Sequence, residues 1–246
     1  ISGCPDRSVI GVDEFEGKLL AQELADHLHD DRVIRVSSSS KITNLGWAVF
    51  ANKGFLSEYR RGKQVASLDL RNCKALQGSH NHQNACAAYA AVRTLGVRPR
   101  SVEKALKSFT GLAHRSQLVT KISGVVFIND SKATNVDSAM KSLETFPKVR
   151  WICGGEQKEP DISRLNNVLT NVKKAYVIGT NSANFSSQIS CEFEICNTMD
   201  VAVKKAFSEA KGGETVLLAP AAASFDQYSS FEERGKAFEH EIKKLM

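Results

Sequence analysis

The sequence predicts an α/β protein in two parts: an incomplete mixed α/β segment, followed by a Rossmann-like domain with a mainly parallel sheet. After Leu112, strand-like and helix-like segments alternate, whereas the sequence before residue 77 contains short strand-like runs separated by turns. A strand, helix, strand order at this spacing requires right-handed crossovers, which give a parallel sheet covered by helices. We therefore expect one domain over residues 1–111 and a second over residues 112–246.

The composition is that of a globular protein and excludes the disordered, collagen-like and low-complexity classes, since 42% of the 246 residues are hydrophobic and 24% are charged. The formal net charge of +6 fits nucleic acid or an anionic small molecule. The basic residues are dispersed and not interleaved with aromatics, which favours one anionic pocket over a nucleic-acid surface. No apolar run approaches the ~20 residues of a membrane span.

The six cysteines contain no CxxC pair, and most lie in apolar segments. Buried free thiols in a reducing compartment are favoured over disulfides, so we expect a cytoplasmic protein. The first residue is Ile1, and the segment up to Cys4 lacks the regions of a signal peptide. We expect that a segment upstream of Ile1 has been removed.

Short strands and two helices are predicted in the first part. Turn-like residues at 52–54 and 61–63 separate the last three strands, which indicates an antiparallel meander. The predicted strands are Val33–Ser37, Gly46–Phe50, Phe55–Tyr59 and Gln64–Asp69. An Ala-rich helix over Asn81–Leu95 ends at Gly96, and a second over Ser101–Phe109 takes Ser101 as its N-cap.

The second part alternates between strands and amphipathic stretches. The predicted strands are Gln117–Ile122, Val125–Asn129, Val149–Cys153, Ala175–Ile178, Cys191–Cys196 and Val216–Leu218. The amphipathic stretches are Val136–Thr145, Ile162–Val172, Ala183–Ile189, Met199–Ala210 and Phe231–Leu245. In such a sheet, ligands bind beyond the carboxyl ends of strands, where helix N-termini offer free N–H groups.

The first strand-to-helix junction offers Asp130, Lys132 and Thr134 within one turn of chain. The carboxylate suits a ribose or a cation, while Lys132 and Thr134, backed by helix N–H groups, suit an anion. In the alternative interpretation, Thr134 or Asn135 only caps the helix and Lys132 is solvated.

Two further junctions contain glycine or small residues. Gly154 and Gly155 allow a ligand to approach the backbone and deliver Lys158, although neither dinucleotide- nor phosphate-loop glycine spacing is present and a plain turn remains the alternative. The third junction places Ser224 after small residues, and no base beside it supports a nucleophilic role. Side chains at Phe231, Arg234 and Phe238 have helical spacing that favours packing.

The sequence does not decide the roles of two histidine pairs and of Arg115. The pairs His27/His29 and His80/His82 lack a neighbouring Cys, Asp or Glu at ligand spacing, so a metal is disfavoured. Arg115 lies where the two parts join, and there it contacts either a phosphate or an interdomain carboxylate.

Five segments in a fixed order give a more specific indication. They are Gly78–Ala85, Phe109–Arg115, Asn129–Asn135, Gly154–Lys158 and Ala219–Gln227, followed by Phe231 and Arg234-Gly235. Together they resemble the Mur ligase family over about residues 70–246, and the segment from Asn129 to Asn135 is typical of the branch that adds D-glutamate. Residues 1–70 resemble the family only loosely.

The resemblance implies ATP-dependent ligation of D-glutamate to UDP-N-acetylmuramoyl-L-alanine, through an acyl phosphate, in peptidoglycan synthesis. By motif, the ATP-binding residues are Asn81 and Asn84 at the adenine, Arg115 near the γ-phosphate and Asp130 at the ribose. The D-glutamate pocket consists of Lys132, Thr134, Lys158, Ser224, Phe225 and Phe231. Ala219 and Ala222 replace a Ser and a Cys that are frequent in the family.

Other family features precede the segment that begins at Ile1. They are the GKT-type phosphate loop, the magnesium-binding Glu and His, a carbamylated Lys and the uridine-nucleotide domain. The resemblance therefore makes residues 1–111 an incomplete ATP-binding domain and residues 112–246 an intact amino-acid-binding domain. It predicts a monomer that, as this chain alone, has neither a complete catalytic set nor metal ligands and is inactive.

Two alternatives remain at this point. The first is another Mur or folylpolyglutamate-type amide ligase, which amino-acid selectivity distinguishes. The second is a non-catalytic carboxylate- or nucleotide-binding module, which the reading frame upstream of Ile1 distinguishes.

Overall fold

A computed structural model describes residues 7–76 and 78–246. The expectations for Ile1 and Cys4 therefore lie outside the described residues. The chain divides into two compact units, residues 1–110 and 111–246. The five described cysteines, Cys73, Cys86, Cys153, Cys191 and Cys196, are free thiols, as the sequence predicts for them.

The first unit contains a five-stranded sheet in the order β1-β2-β3-β4-β5. The strands are β1 Ser8–Gly11, β2 Val33–Ser37, β3 Trp47–Asn52, β4 Phe55–Arg60 and β5 Lys63–Asp69. Strands β1 to β3 are parallel, and β3 to β5 form the predicted antiparallel meander. Positive φ angles at Gly54 and Gly62 give its turns the left-handed backbone that glycine adopts without strain.

The α-helices among the described residues of this unit are α1 Phe15–Leu28, α2 Ser79–Thr94 and α3 Pro99–Ser108. The sequence indicated neither β1 nor α1, because β1 is short and α1 leaves Phe15, Leu19 and Leu20 exposed, which blurs its apolar stripe. The predicted cap at Ser101 is wrong. The helix begins two residues earlier, since Pro99 presets the first helical turn and Ser101 falls inside it.

The second unit contains a six-stranded sheet in the order β10-β9-β8-β11-β7-β6. The strands are β6 Gln117–Ile122, β7 Val125–Asn129, β8 Val149–Gly154, β9 Val172–Ile178, β10 Phe193–Asn197 and β11 Thr215–Leu218. Neighbouring strands are parallel except β6 and β7, which confirms the predicted mainly parallel sheet for the described residues.

Its helices are α4 Val136–Thr145, α5 Ser182–Ser186, α6 Met199–Glu209 and α7 Phe231–Lys243. The amphipathic stretch predicted over Ile162–Val172 is a 3-10 segment at Ser163–Asn171. Alternate residues of β8 point to opposite faces, so that Trp151 packs with Leu143 and Phe185 while Ile152 packs with Phe127, Tyr176 and Phe238. Both faces of the sheet are therefore buried, as a doubly covered parallel sheet requires.

Candidate functional site

Three loops leave the same edge of the second sheet. The register of the central strand β11 places Leu218 beside Asn129 of β7 and beside Ile152 of β8. The loops that follow these strands therefore begin side by side at the carboxyl ends of the sheet, where α/β proteins bind ligands. We refer to them as loop A (130–135), loop B (155–161) and loop C (219–230).

Main-chain hydrogen bonds join the loops. The Ala221 N–H of loop C donates to the Ala133 carbonyl of loop A at 2.9 Å. Ala223 and Glu156 exchange two such bonds, of 2.8 and 3.0 Å, which attach loop C to loop B. The structure thus brings together the three junctions that the sequence singles out.

The Arg234 side chain of α7 is hydrogen-bonded to both loop A and loop C. It is only 1% exposed, and its guanidinium donates four hydrogen bonds, to the Ser131 hydroxyl and carbonyl and to the Ala222 and Ala223 carbonyls. Burial lowers the pKa of Arg234 to about 10, so the group stays charged at neutral pH. The sequence predicted Arg234 to pack the last helix. It is buried there as expected, but it also anchors two loops of the candidate site.

Lys132 and Phe231 are in contact. The Lys132 ammonium lies 4.1 Å from the centre of the Phe231 ring, which is the geometry of a cation–π interaction. The Ser131 hydroxyl donates to the Phe231 carbonyl at 2.7 Å and fixes the start of α7 against loop A. Lys132 remains exposed, and Thr134 beside it is half-buried. An oriented cation therefore faces solvent from loop A.

Ser224 is 3% exposed, and its hydroxyl has no hydrogen bond to other described residues. Its carbonyl accepts from the N–H groups of Gln227 and Tyr228, which shape loop C into a tight turn. The neighbouring Phe225 is 68% exposed. Asp226 accepts from the Thr180 N–H at 2.9 Å and attaches the turn to the end of β9. Loop C thus offers one hydroxyl with spare hydrogen-bonding capacity and one exposed ring.

The glycines at the end of β8 and the start of loop B approach the protein's own backbone closely. Gly155 has a φ of +127°, and a Cβ there would lie 2.3 Å from the Ala223 carbonyl oxygen. A Cβ on Gly154 would lie 2.2 Å from the Ile178 carbonyl oxygen. The structure assigns these two glycines to close packing between strands and loops, where the sequence suggested approach to a ligand. Lys158 follows them, exposed and without a hydrogen bond to the described residues.

The start of α4 is capped by the protein's own side chains. Asn135 accepts from the Ser138 N–H at 2.9 Å, which confirms the alternative that it serves as the N-cap. The Glu159 carboxylate of loop B accepts from the Val136 N–H at 3.2 Å. The N–H groups of Val136 and Ser138 are therefore already bonded to side chains. The expectation that helix N–H groups help Lys132 and Thr134 to bind an anion is wrong for these two N–H groups.

Asp130, the first residue of loop A, is buried. Its carboxylate accepts from the Ser142 hydroxyl and, at 3.1 Å, from the Ser116 N–H. Burial raises the pKa of Asp130, and the two hydrogen bonds and the positive charge of Arg115 oppose that rise. Arg115 is exposed and directly precedes Ser116, whose N–H binds Asp130.

The two asparagines predicted to bind adenine lie in the first unit, on α2. Asn81 is half-buried in the first turn and Asn84 is exposed one turn later. Between them, Gln83 donates to Asp13 at 2.8 Å, and Asp13 also accepts from Ser37 to Ser39. The sequence did not indicate Asp13, Glu159 or Asp226, since each binds a partner distant along the chain.

Residues 7–76 and 78–246 contain no group of three or more His, Cys, Asp or Glu side chains that could hold a metal ion. Within the same residues, no helix is both long and apolar enough to cross a bilayer.

Residues 114–222 match the family described as Mur ligase, glutamate ligase domain. The chain is 58% identical over 244 residues to the UDP-N-acetylmuramoylalanine–D-glutamate ligase of Ruegeria pomeroyi, covering 99% of this chain and 52% of that protein. It is 59% identical over 245 residues to the protein of the same name from Cereibacter sphaeroides ATCC 17025, covering 99% and 53%. The chain thus spans about half the length of these relatives.

Solved structures share the fold at low identity. A pseudomurein peptide ligase type C from Methanothermus fervidus superposes with a TM-score of 0.67 at 14% identity, covering 98% of this chain and 57% of that one. FolC of E. coli, in complex with DHPP and ADP, superposes with a TM-score of 0.65 at 18% identity, covering 98% and 55%. These similarities establish the fold alone.

Proposed function

We propose, from the premise that residues 114–222 are a Mur ligase glutamate ligase domain, that this chain is the D-glutamate-binding part of a longer ligase. That ligase joins D-glutamate to UDP-N-acetylmuramoyl-L-alanine with consumption of ATP, in the cytoplasm. The observation that carries the proposal is the meeting of loops A, B and C at one sheet edge, since these loops carry Lys132, Lys158 and Ser224. Support also comes from the names of relatives that are 58–59% identical.

The chemistry of the loops suits D-glutamate, which presents two carboxylates at neutral pH. In the proposed pocket, Lys132 and Lys158 supply the positive charges, and the Ser224 and Thr134 hydroxyls supply hydrogen bonds. Phe231 orients the Lys132 ammonium, while Phe225 covers the aliphatic part of the ligand. Such an arrangement binds the two carboxylates and leaves the amine free to react.

The proposed reaction has two steps. The γ-phosphoryl group of ATP passes to the L-alanyl carboxylate, giving an acyl phosphate and ADP. The D-glutamate amine then attacks the acyl carbon, phosphate leaves, and the amine loses a proton as the amide forms. In this scheme Asn81 and Asn84 bind adenine, Asp130 the ribose and Arg115 the γ-phosphate.

The described residues contain no group of three or more His, Cys, Asp or Glu side chains that could hold a metal ion. We therefore assign no step of the reaction to a metal held by this chain. A magnesium requirement of the longer enzyme is proposed to rest on residues outside the 246.

The test uses the protein extended at its amino end to the length of its relatives. Lys158→Ala should raise the KM for D-glutamate about tenfold or more, because a charge-assisted hydrogen bond of about 1.4 kcal/mol or more is lost. The KM for ATP should stay unchanged. Lys141→Ala is the matched control, since Lys141 is exposed on α4 and its ammonium makes no hydrogen bond or ion pair with a described residue.

An unchanged KM for D-glutamate in Lys158→Ala would remove loop B from the pocket. Equal turnover with L-lysine or L-alanine in place of D-glutamate, or with a folate and glutamate as the two substrates, would instead favour a different amide ligase. Absence of turnover with every amino acid tested would support a non-catalytic binding module.

A further inference from the structure

Glu159 links the two loops that carry the lysines of the proposed pocket. Its carboxylate, on loop B, accepts a hydrogen bond from the Val136 N–H at 3.2 Å. Val136 is the first residue of α4, directly after Thr134 and Asn135 of loop A. A single side chain therefore fixes loop B at the point where loop A becomes a helix.

Two further attachments of loop B lie on the amino-terminal side of Lys158. Glu156 is bound through its main chain to Ala223 of loop C, by bonds of 2.8 and 3.0 Å. The Gln157 side-chain carbonyl accepts from the Asn184 side-chain amide at 2.9 Å. Lys158 lies between these anchors and Glu159, and its own ammonium bonds to no described residue. The backbone of Lys158 is thus held from both sides while its side chain stays available.

Electrostatics favour this attachment. The start of a helix carries unsatisfied N–H groups and a partial positive charge, which a carboxylate stabilises. Because Glu159 occupies this position, the Val136 N–H is not available to a substrate carboxylate. Recognition of the substrate then depends on lysines whose separation the Glu159 contact determines.

We infer that Glu159 is a positioning residue, which sets the distance of Lys158 from Lys132 and Thr134 and thereby the affinity for D-glutamate. This inference rests on the proposed function. It concerns a residue that does not itself touch the substrate, because its carboxylate is directed to the α4 N-terminus.

The experiment measures KM and kcat of the full-length protein carrying Glu159→Ala or Glu159→Gln. Loss of a helix-capping carboxylate should raise the KM for D-glutamate about tenfold in Glu159→Ala, with kcat and the KM for ATP changed less than about twofold. Glu159→Gln keeps an acceptor oxygen for the Val136 N–H, and its KM should rise about threefold or less. The matched control is Glu144→Ala, because Glu144 is an exposed carboxylate on α4 without a described partner.

A double variant separates positioning from general destabilisation. If Glu159 acts through Lys158, then Glu159→Ala should add little to the KM of Lys158→Ala, so that the two effects are not additive. Additive effects, or a uniform loss in kcat and in both KM values together with a lowered Tm, would overturn the inference. So would an unchanged KM in Glu159→Ala.

The same measurements distinguish a failure of the positioning role of Glu159 from a failure of the proposed D-glutamate pocket. If Lys158→Ala raises the D-glutamate KM and Glu159→Ala does not, only the positioning role is refuted. If Lys158→Ala has no effect, the proposed pocket itself is refuted.

Discussion

Glu58 in the first unit and Arg234 in the second are charged side chains that are almost completely buried, and their surroundings are opposite in kind. Glu58 of β4 is fully buried and has charged partners: Arg60 at 2.8 Å and Arg93 at 2.9 Å, with the Tyr89 hydroxyl at 2.6 Å. Arg234 is equally buried but is bonded to carbonyl oxygens and one hydroxyl, with no carboxylate in contact among the described residues.

The difference shows in their pKa values. Burial alone raises the pKa of Glu58, yet hydrogen bonds from Arg93, Tyr89 and Arg60 outweigh it and the net shift is downward. For Arg234 burial dominates, and the pKa falls to about 10. Glu58 is thus paired with arginines within a core, whereas Arg234 has no ion pair among the described residues and only the longer-range attraction of Asp226 and Tyr228. Such a charge favours anionic ligands at loops A and C.

The largest expected effect is at Arg234. Arg234→Met keeps most of the volume but leaves the Ser131, Ala222 and Ala223 acceptors unpaired, so the free energy of unfolding should fall by about 4 kcal/mol. Urea unfolding of the chain measures this loss. The control is Arg164→Met, which removes an exposed ion pair to Asp137 and should change stability by less than about 1 kcal/mol. Equal effects at both positions would mean that Arg234 is not an anchor.

A smaller loss is expected at Glu58. Glu58→Gln keeps the shape but leaves the half-buried Arg93 without its counter-charge, which should cost about 3 kcal/mol. Calorimetry of this variant against Glu23→Gln, an exposed carboxylate on α1 without a described partner, provides the measurement. If the free energy of unfolding fell by less than about 1 kcal/mol, Arg60 and Arg93 would have to be hydrated in the variant in place of their bonds to the Glu58 carboxylate.

The smallest effects are expected in the pH dependence of stability. Because the folded-state pKa of Glu58 is lowered, its contribution is present above about pH 4.5 and is lost as pH falls through the folded pKa. The folded-state pKa of Asp130 is raised, so its contribution has the opposite sign: it is present below about pH 3.8 and is lost as pH rises through the folded pKa.

Urea unfolding between pH 3 and 7 tests both signs. Glu58→Gln should flatten the acid limb, while Asp130→Asn should become more stable relative to wild type as pH rises. The Ser142 hydroxyl can turn to accept from the new amide, so the Asn variant keeps its hydrogen bonds. The same sign for both variants would contradict the contrast between the two units.

The second unit follows its sequence closely. Predicted elements at Gln117–Ile122, Val125–Asn129 and Val136–Thr145 agree with the structure residue by residue. Buried strands with apolar runs and a helix with a cap such as Asn135 leave strong local signals. The roles of Lys132, Thr134, Lys158, Ser224, Phe225 and Phe231 stay predictions.

The first unit was harder to predict because its signals are weaker. Strand β1 has four residues, and α1 exposes apolar side chains, so neither showed a clear period. The start of α3 was misplaced because Ser101 is a good cap by type, while Pro99 fixed the backbone two residues earlier.

By itself the sequence determined the α/β class, the mainly parallel second sheet and the three strand-to-helix junctions of the candidate site, because periodicity and capping are encoded by near neighbours. Tertiary structure alone decided that Arg234 anchors loops A and C, that Glu159 caps α4, and that Gly155 packs against Ala223. These contacts join residues 11, 12, 23, 68 and 103 positions apart. Only the folded chain brings such partners together, because a local sequence pattern contains no information about contacts between distant residues.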